Sequence, residues 1–249
     1  MTSRAEEIFF EVFEPLPRQG PGSRACARRA LALCTELPSS PRILDLGCGS
    51  GAQTLHLASL TKGTIVAVDC HAPLIERLRA KVDECGLSAR VEARVGDMSA
   101  LALPTKSFDL VWSEGALYNW GLASALPACA SLLSVGGYLA FTEAVWRTTD
   151  APPEVREAFA DYATMGRVED VLPLIKESGL SLVDHFDLSD EAWWDDFYAP
   201  MERQIERLGV KYAGDAEALA ALGEVAKEPA MHRRNGHHYG YTFFVARRG

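Results

Sequence analysis

No apolar run in this 249-residue chain approaches the ~18–20 residues that a membrane-spanning helix requires. The opening stretch, Met1-Thr2-Ser3-Arg4-Ala5-Glu6-Glu7, turns acidic before any apolar segment, so no secretory leader is expected. Basic residues are few. Against 34 Asp and Glu stand 25 Lys and Arg, a net charge of −9, which is the wrong sign for a surface that binds nucleic acid or an anionic membrane. Cysteine is also sparse. The six residues, at positions 26, 34, 48, 70, 85 and 129, form no C-x-x-C pair and no metal-like spacing with histidine. Neither a structural metal nor a disulfide framework is expected, and the cysteines read as small buried hydrophobes in a reducing cytoplasm. There is no internal repeat and no low-complexity linker. What remains is a chain of ordinary globular composition, 48% hydrophobic and 24% charged, long enough to bury a substantial core as one domain over residues 1–249.

Along the chain the first 40 residues read as a helical segment. Ile8, Phe9, Val12 and Phe13 give one apolar face, a Pro/Gly-rich break follows from Pro15 to Gly22, and Ala25–Leu37 resumes a helical pattern. From Pro41 short apolar runs alternate with helical stretches. Strands are expected at Arg42–Leu46, Thr64–Val68, Arg90–Val95, Phe108–Trp112 and Tyr138–Thr142, with helices at Ala52–Leu60 and from Pro73 to the stop at Gly86. This alternation implies right-handed βαβ units around a doubly wound, mostly parallel α/β sheet. Helical stretches at Pro153–Thr164 and Val168–Ser178 then precede a sixth strand, Ser181–Leu188, and Tyr239–Ala246 supplies a seventh. Residues 189–238 form a long insertion between these last two, with Trp193, Trp194, Phe197 and Tyr198 close together. An insertion of this length and aromatic content is expected to act as a cap, closing over a site.

The chemistry-bearing signal is Ile43-Leu44-Asp45-Leu46-Gly47-Cys48-Gly49-Ser50-Gly51, a strand that runs through glycines into a helix. Glycines there permit positive φ and close approach of a ligand to the backbone, and the helix offers its N-terminus. Gly47-x-Gly49-x-x-Ala52 also satisfies the permissive dinucleotide fingerprint, so the glycines alone leave an NAD(P)-dependent oxidoreductase open. Asp45, at the end of the strand, argues the other way: a carboxylate facing the ligand repels phosphates and suits a cation.

At this point the sequence resembles the class I S-adenosylmethionine-dependent methyltransferases, whose first motif is Asp-x-Gly-x-Gly-x-Gly. The resemblance extends over about residues 41–141 and loosely to the last strand. It implies a Rossmann-like seven-stranded sheet whose last strand is antiparallel, S-adenosylmethionine as cofactor, and a cofactor site at Asp45, Gly47, Gly49, Gly51, Asp69, Asp97, Met98, Ser113 and Glu114. In that site Asp69 would take the ribose hydroxyls, and Asp97 and Met98 the adenine. Phe108-Asp109-Leu110-Val111 also matches, and the loop after it, Ser113 to Trp120, would border the transferable methyl. No Asp/Asn-Pro-Pro-aromatic tetrapeptide follows, and no Pro-Cys nucleophile, so nucleic-acid methylation loses support and a small-molecule acceptor is expected. The segment Arg18-Gln19-Gly20-Pro21-Gly22-Ser23 is similar to one in small bacterial methyltransferases, without a role for any one residue. If the last strand is antiparallel, its start lies at the ligand-binding edge. Together with the aromatic cap, this makes Tyr118, Trp194, His237 and His238 the candidate acceptor contacts. No residue is assigned as catalytic; Glu114, Tyr118, His237 and His238 are the candidates for a general base. A non-catalytic protein that binds an adenosyl ligand is the remaining alternative.

Overall fold

In the computed structural model, which describes residues 3–162 and 165–249, seven strands form one sheet in the order β3-β2-β1-β4-β5-β7-β6. The strands are β1 Arg42–Leu46, β2 Thr64–Asp69, β3 Val91–Val95, β4 Phe108–Ser113, β5 Leu133–Trp146, β6 Leu180–Asp187 and β7 Tyr239–Arg248. Only β7 runs against the rest, pairing antiparallel with both β5 and β6. Sequence neighbours diverge between β1 and β4, which pair in parallel, and this is the point where an open α/β sheet leaves a crevice at its carboxyl edge.

Strand alternation explains how the sheet is covered. Ile43, Ile65, Ala67, Leu110, Trp112 and Phe243 face one side, where α2 (Arg24–Leu33), α3 (Ala52–Leu60) and α4 (Ala72–Glu84) pack on them. Leu44, Leu46, Val111, Leu139, Phe141 and Phe244 face the other, under α5 (Leu122–Leu132) and α7 (Val168–Glu177). The short α6 (Pro153–Ala158) follows β5.

Several boundaries differ from the sequence reading. α2 ends at Leu33, because Cys34 leaves the helical region at φ −86°, ψ 61°. β5 begins before the glycine turn and continues to Trp146, since β7 offers it an unbroken antiparallel register from Tyr138↔Arg247 to Trp146↔Tyr239. The helix from Pro153 stops at Ala158, and the expected end at Thr164 lies outside the described residues. α5 was not anticipated, although Leu122, Ala125, Leu126 and Cys129 carry a helical repeat of buried positions.

Between β6 and β7, the turn α8 (Glu191–Trp193) continues through a π-turn at Trp194–Tyr198 into α9 (Ala199–Lys211), and α10 (Ala216–Asn235) returns. These elements pack on α1 (Arg4–Phe13), so that Ile8, Val12 and Leu16 share one buried cluster with Trp193, Phe197, Tyr198, Met201 and Leu222. The aromatic residues are therefore interior, and the insertion and the N-terminal helix stabilise each other. Among the described residues no helix is long and apolar enough to cross a membrane.

Candidate active site

The β1–α3 turn is held by side chains before any ligand arrives. Gly47 stands at φ 68°, and a Cβ there would collide with the Ala116 side chain; at Gly49, φ 54°, it would come within 2.8 Å of Gln19 Oε1. Asp69, at the end of β2, accepts the Gly49 N–H at 2.8 Å and the His71 N–H at 2.9 Å through its two oxygens. Gln19 accepts the Ser50 N–H at 2.9 Å while its own amide donates to the carbonyls of Phe13 and Leu16. The Gly51 N–H turns back onto Cys48 O. With these three amides already bonded, the turn has few free donors for a pyrophosphate.

Asp45 does not do what its position in the strand suggested. It is fully buried beneath the turn, where Thr54 Oγ1 donates to it at 2.5 Å and Gln53 Nε2 at 3.4 Å. Burial pushes its pKa up to about 7. Asp45 thus fastens the start of α3 to β1 and is absent from the cavity wall, so its charge does not meet a ligand directly.

The cavity beside the turn, about 570 Å³, opens at the carboxyl ends of β1, β2, β3 and β4. Gly47, Gly49, Asp69, Asp97, Met98 and Glu114 all line it, as the sequence reading expected, and Arg18, Gln19, Cys70 and Trp120 line it as well. Asp97 caps a short 3₁₀ turn: its Oδ1 accepts from the Ser99 N–H at 2.8 Å and from Ser99 Oγ at 2.7 Å, which lowers its pKa. Glu114 is buried between two donors, Trp112 Nε1 at 2.8 Å and Arg18 Nη2 at 2.7 Å. The Arg18 guanidinium is almost as deeply buried, and its Nη1 has no hydrogen-bond partner. Three carboxylates thus face this space with one guanidinium that is already paired, and the balance favours a cationic ligand.

A second cavity of about 610 Å³ adjoins the first, and Gln19, Gly20 and Gly115 belong to the walls of both. Aromatic residues make up much of its lining: Phe9 and Phe13 from α1, Tyr118 after β4, Phe159 and Tyr162 after α6, Trp193, Phe197 and Tyr198 from the insertion, and Tyr241 from β7. The charged Glu154, Glu224, Lys227, Glu228 and Arg234 line it as well. Tyr118 and Tyr162 lie ring on ring at 4.0 Å, and the Tyr162 and Tyr241 hydroxyls are 3.5 Å apart. Burial raises the pKa of Tyr162 and of Tyr241, so both remain neutral phenols at neutral pH.

Five further expected site residues lie off both walls. Gly51 abuts Leu78 of α4, and Ser113 spends its hydroxyl on Leu46 O at 2.9 Å. Trp194 points to the outer side of the insertion under the Arg233 guanidinium, 4.4 Å from its ring centre, because consecutive residues in a helical turn cannot share a face; Trp193 takes the inner position. His237 and His238 precede β7, and His238 bonds Thr148 Oγ1 at 2.7 Å past the end of β5. The β7 residue that reaches the cavity is Tyr241, two positions beyond Tyr239 on the same face of the strand. Arg18, Gln19, Tyr162, Tyr241 and Glu228 were the lining residues the sequence did not single out by role. For Arg18 and Gln19 a signal existed in the Arg-Gln-Gly-Pro-Gly-Ser segment. The others depend on which face of an element turns inward. Among the described residues no group of His, Cys, Asp and Glu has a metal-holding arrangement.

Residues 43–137 match the family model described as "Methyltransferase domain". The chain is 27% identical over 162 residues to "Methyltransferase GfsG" of Streptomyces halstedii, an alignment covering 63% of this chain and 58% of that protein. It is 32% identical over 127 residues to "Aklanonic acid methyltransferase DauC" of Streptomyces sp. (strain C5), covering 50% and 57%. The alignments thus span less than two thirds of the length of these curated relatives. In overall fold the chain matches a SAM-dependent methyltransferase from Geobacter sulfurreducens in complex with S-adenosyl-L-homocysteine. The TM-score is 0.82 at 19% identity, over 96% of this chain and 97% of that one.

Proposed function

We propose that this chain is a class I S-adenosylmethionine-dependent methyltransferase and that it transfers a methyl group to a small-molecule acceptor held in the aromatic cavity. The observation that carries the proposal is the pair of joined cavities, one acidic and glycine-walled, the other aromatic, meeting at Gly115.

The residues present fit the cofactor. Arg18 Nη1, buried and without a partner, is a donor suited to the amino-acid carboxylate. Asp69 retains lone pairs for the ribose hydroxyls, and Asp97 Oδ2, with Met98 beside it, suits an adenine amine and ring. Gly47 and Gly49 line the cavity with bare backbone, which permits close approach of a ligand. When bound, the cofactor supplies an activated sulfonium methyl for direct displacement. The protein's task is then alignment and exclusion of water, worth ~7–11 kcal/mol in well-oriented reactions. Thr142 Oγ1 fixes the Gly115 N–H at 2.8 Å, holding the shared wall in place. Tyr118, Tyr162 and Tyr241 cover the junction with their ring faces, and the neutral hydroxyls of Tyr162 and Tyr241 are placed to orient an acceptor. The small-molecule reading rests on the size of the second cavity, within the ~300–1,000 Å³ usual for such ligands, and on the net charge of −9, adverse to nucleic acid.

Asp69→Ala tests the cofactor site. Charge-assisted hydrogen bonds contribute ~1.5–3 kcal/mol each at most, and the substitution also frees the Gly49 N–H and loosens the turn. Affinity for S-adenosylhomocysteine, measured by calorimetry, is expected to fall at least about tenfold. Unchanged affinity would place the adenosine elsewhere. NADH titrated in parallel is expected not to bind; saturable NADH binding would favour the oxidoreductase alternative.

A further inference from the structure

Glu228, on α10, stands in the wall of the aromatic cavity and contacts none of the first. Its side chain is exposed to this open cavity, with protein crowded around it. One oxygen accepts the Tyr198 hydroxyl at 3.0 Å. Among the described residues no lysine, arginine or histidine forms an ion pair with it; of the two cations that stand in the same cavity wall, Lys227 pairs with Glu224 and Arg234 makes no ion pair with Glu228. The hydroxyl-bearing rings of Tyr239 and Tyr241 are close enough for its charge to act on them, and Trp193, Tyr162 and Met231 complete the surroundings. A carboxylate without an ion-pair partner, crowded by apolar rings, is harder to ionise than one in open water, and this raises its pKa. A ligand that brings a positive charge relieves this cost, and the aromatic faces around it add attraction for the same charge.

We propose that the acceptor carries a basic amine, bound as an ammonium group against Glu228 within the aromatic cavity, with its reacting end directed toward Gly115. The inference rests on the methyltransferase reading and narrows its acceptor class. Glu228 is here an anchoring and specificity-determining residue; its absence from the wall of the first cavity keeps it away from the methyl-transfer junction.

The test uses the full chain and two probes of nearly equal shape, 2-(2-naphthyl)ethylamine and 2-(2-naphthyl)ethanol, titrated by calorimetry in the presence of S-adenosylhomocysteine. The amine is expected to bind about ten- to hundredfold tighter than the alcohol. Glu228→Gln should remove that preference while leaving the alcohol and S-adenosylhomocysteine affinities within about twofold, and Glu228→Asp, which keeps the charge, should restore part of it. Equal affinity of the two probes, failure of the amine to bind, or a preference that survives in Glu228→Gln would each overturn the proposal. The cofactor titration separates the two levels: no S-adenosylhomocysteine binding by the unaltered protein overturns the reading beneath, whereas normal binding without amine preference overturns this inference alone.

Discussion

Glu114→Ala is expected to cost about 3–5 kcal/mol of folding stability, because it leaves the buried Arg18 guanidinium without its counter-charge. The same change takes the acceptor from Trp112 Nε1, which sits near the carboxyl end of β4 with no access to water. For a chain of this size the loss corresponds to a fall in Tm of roughly 6–20 °C. Calorimetric melting of the variant measures it directly. The cost belongs to the unpaired charge more than to the pair, so Arg18→Met combined with Glu114→Ala should recover a large part of the lost stability. A single variant that melts within about 1 °C of the parent would contradict the burial of the pair in the wall of the first cavity.

Stability should also fall as pH rises through neutrality, with Glu143 and Asp45 responsible. Glu143, on β5, has one buried oxygen without a hydrogen-bond partner, and burial moves its pKa up to about 8; Asp45 moves up to about 7 for the same reason. An acid whose folded pKa lies above its unfolded value binds its proton more tightly when folded. Its favourable contribution is complete below about pH 4 and is lost as pH rises toward 7–8. Each group accounts for about 3–5 kcal/mol over that window. Melting curves from pH 5 to pH 8.5 should therefore slope downward, and Glu143→Gln, which cannot ionise, should flatten the slope by its share. An unaltered slope in that variant would show that Glu143 is not titrating in the folded protein.

Much of the framework was legible because local chemistry and fold agree. Ala52–Leu60 and Arg42–Leu46 fall where the periodicity put them, and Leu74, Ile75, Leu78 and Val82 form the buried face of α4. Glycine positions and strand-end carboxylates identified the first cavity for the same reason: Gly47, Gly49, Asp69 and Asp97 are tied to the sheet edge by chain order alone. Asp45 shows where this reasoning stops. Its sequence position is that of a strand-end ligand contact, but one residue of strand alternation turns it beneath the turn, toward Thr54. The second cavity was less legible still. Its walls come from α1, the loops after β4 and α6, the insertion and β7, and contacts of such sequence separation leave no periodic trace. The aromatic content of the insertion pointed to that face of the molecule, yet Trp194 and His238 were indistinguishable in sequence from Trp193 and Tyr241, which line it. The insertion had suggested a closing cap. It shares a core with α1, with Ile8, Val12 and Met201 wholly buried, and supplies part of the cavity wall.

Incubation of the purified protein with methyl-labelled S-adenosylmethionine and a deproteinised metabolite extract tests the central claim most directly. Label is expected to appear in the small-molecule fraction, to depend on the protein, and to be lost or greatly reduced with Asp69→Ala. Label confined to macromolecules when these are supplied in the same assay, or no transfer at all despite saturable S-adenosylmethionine binding, would contradict it.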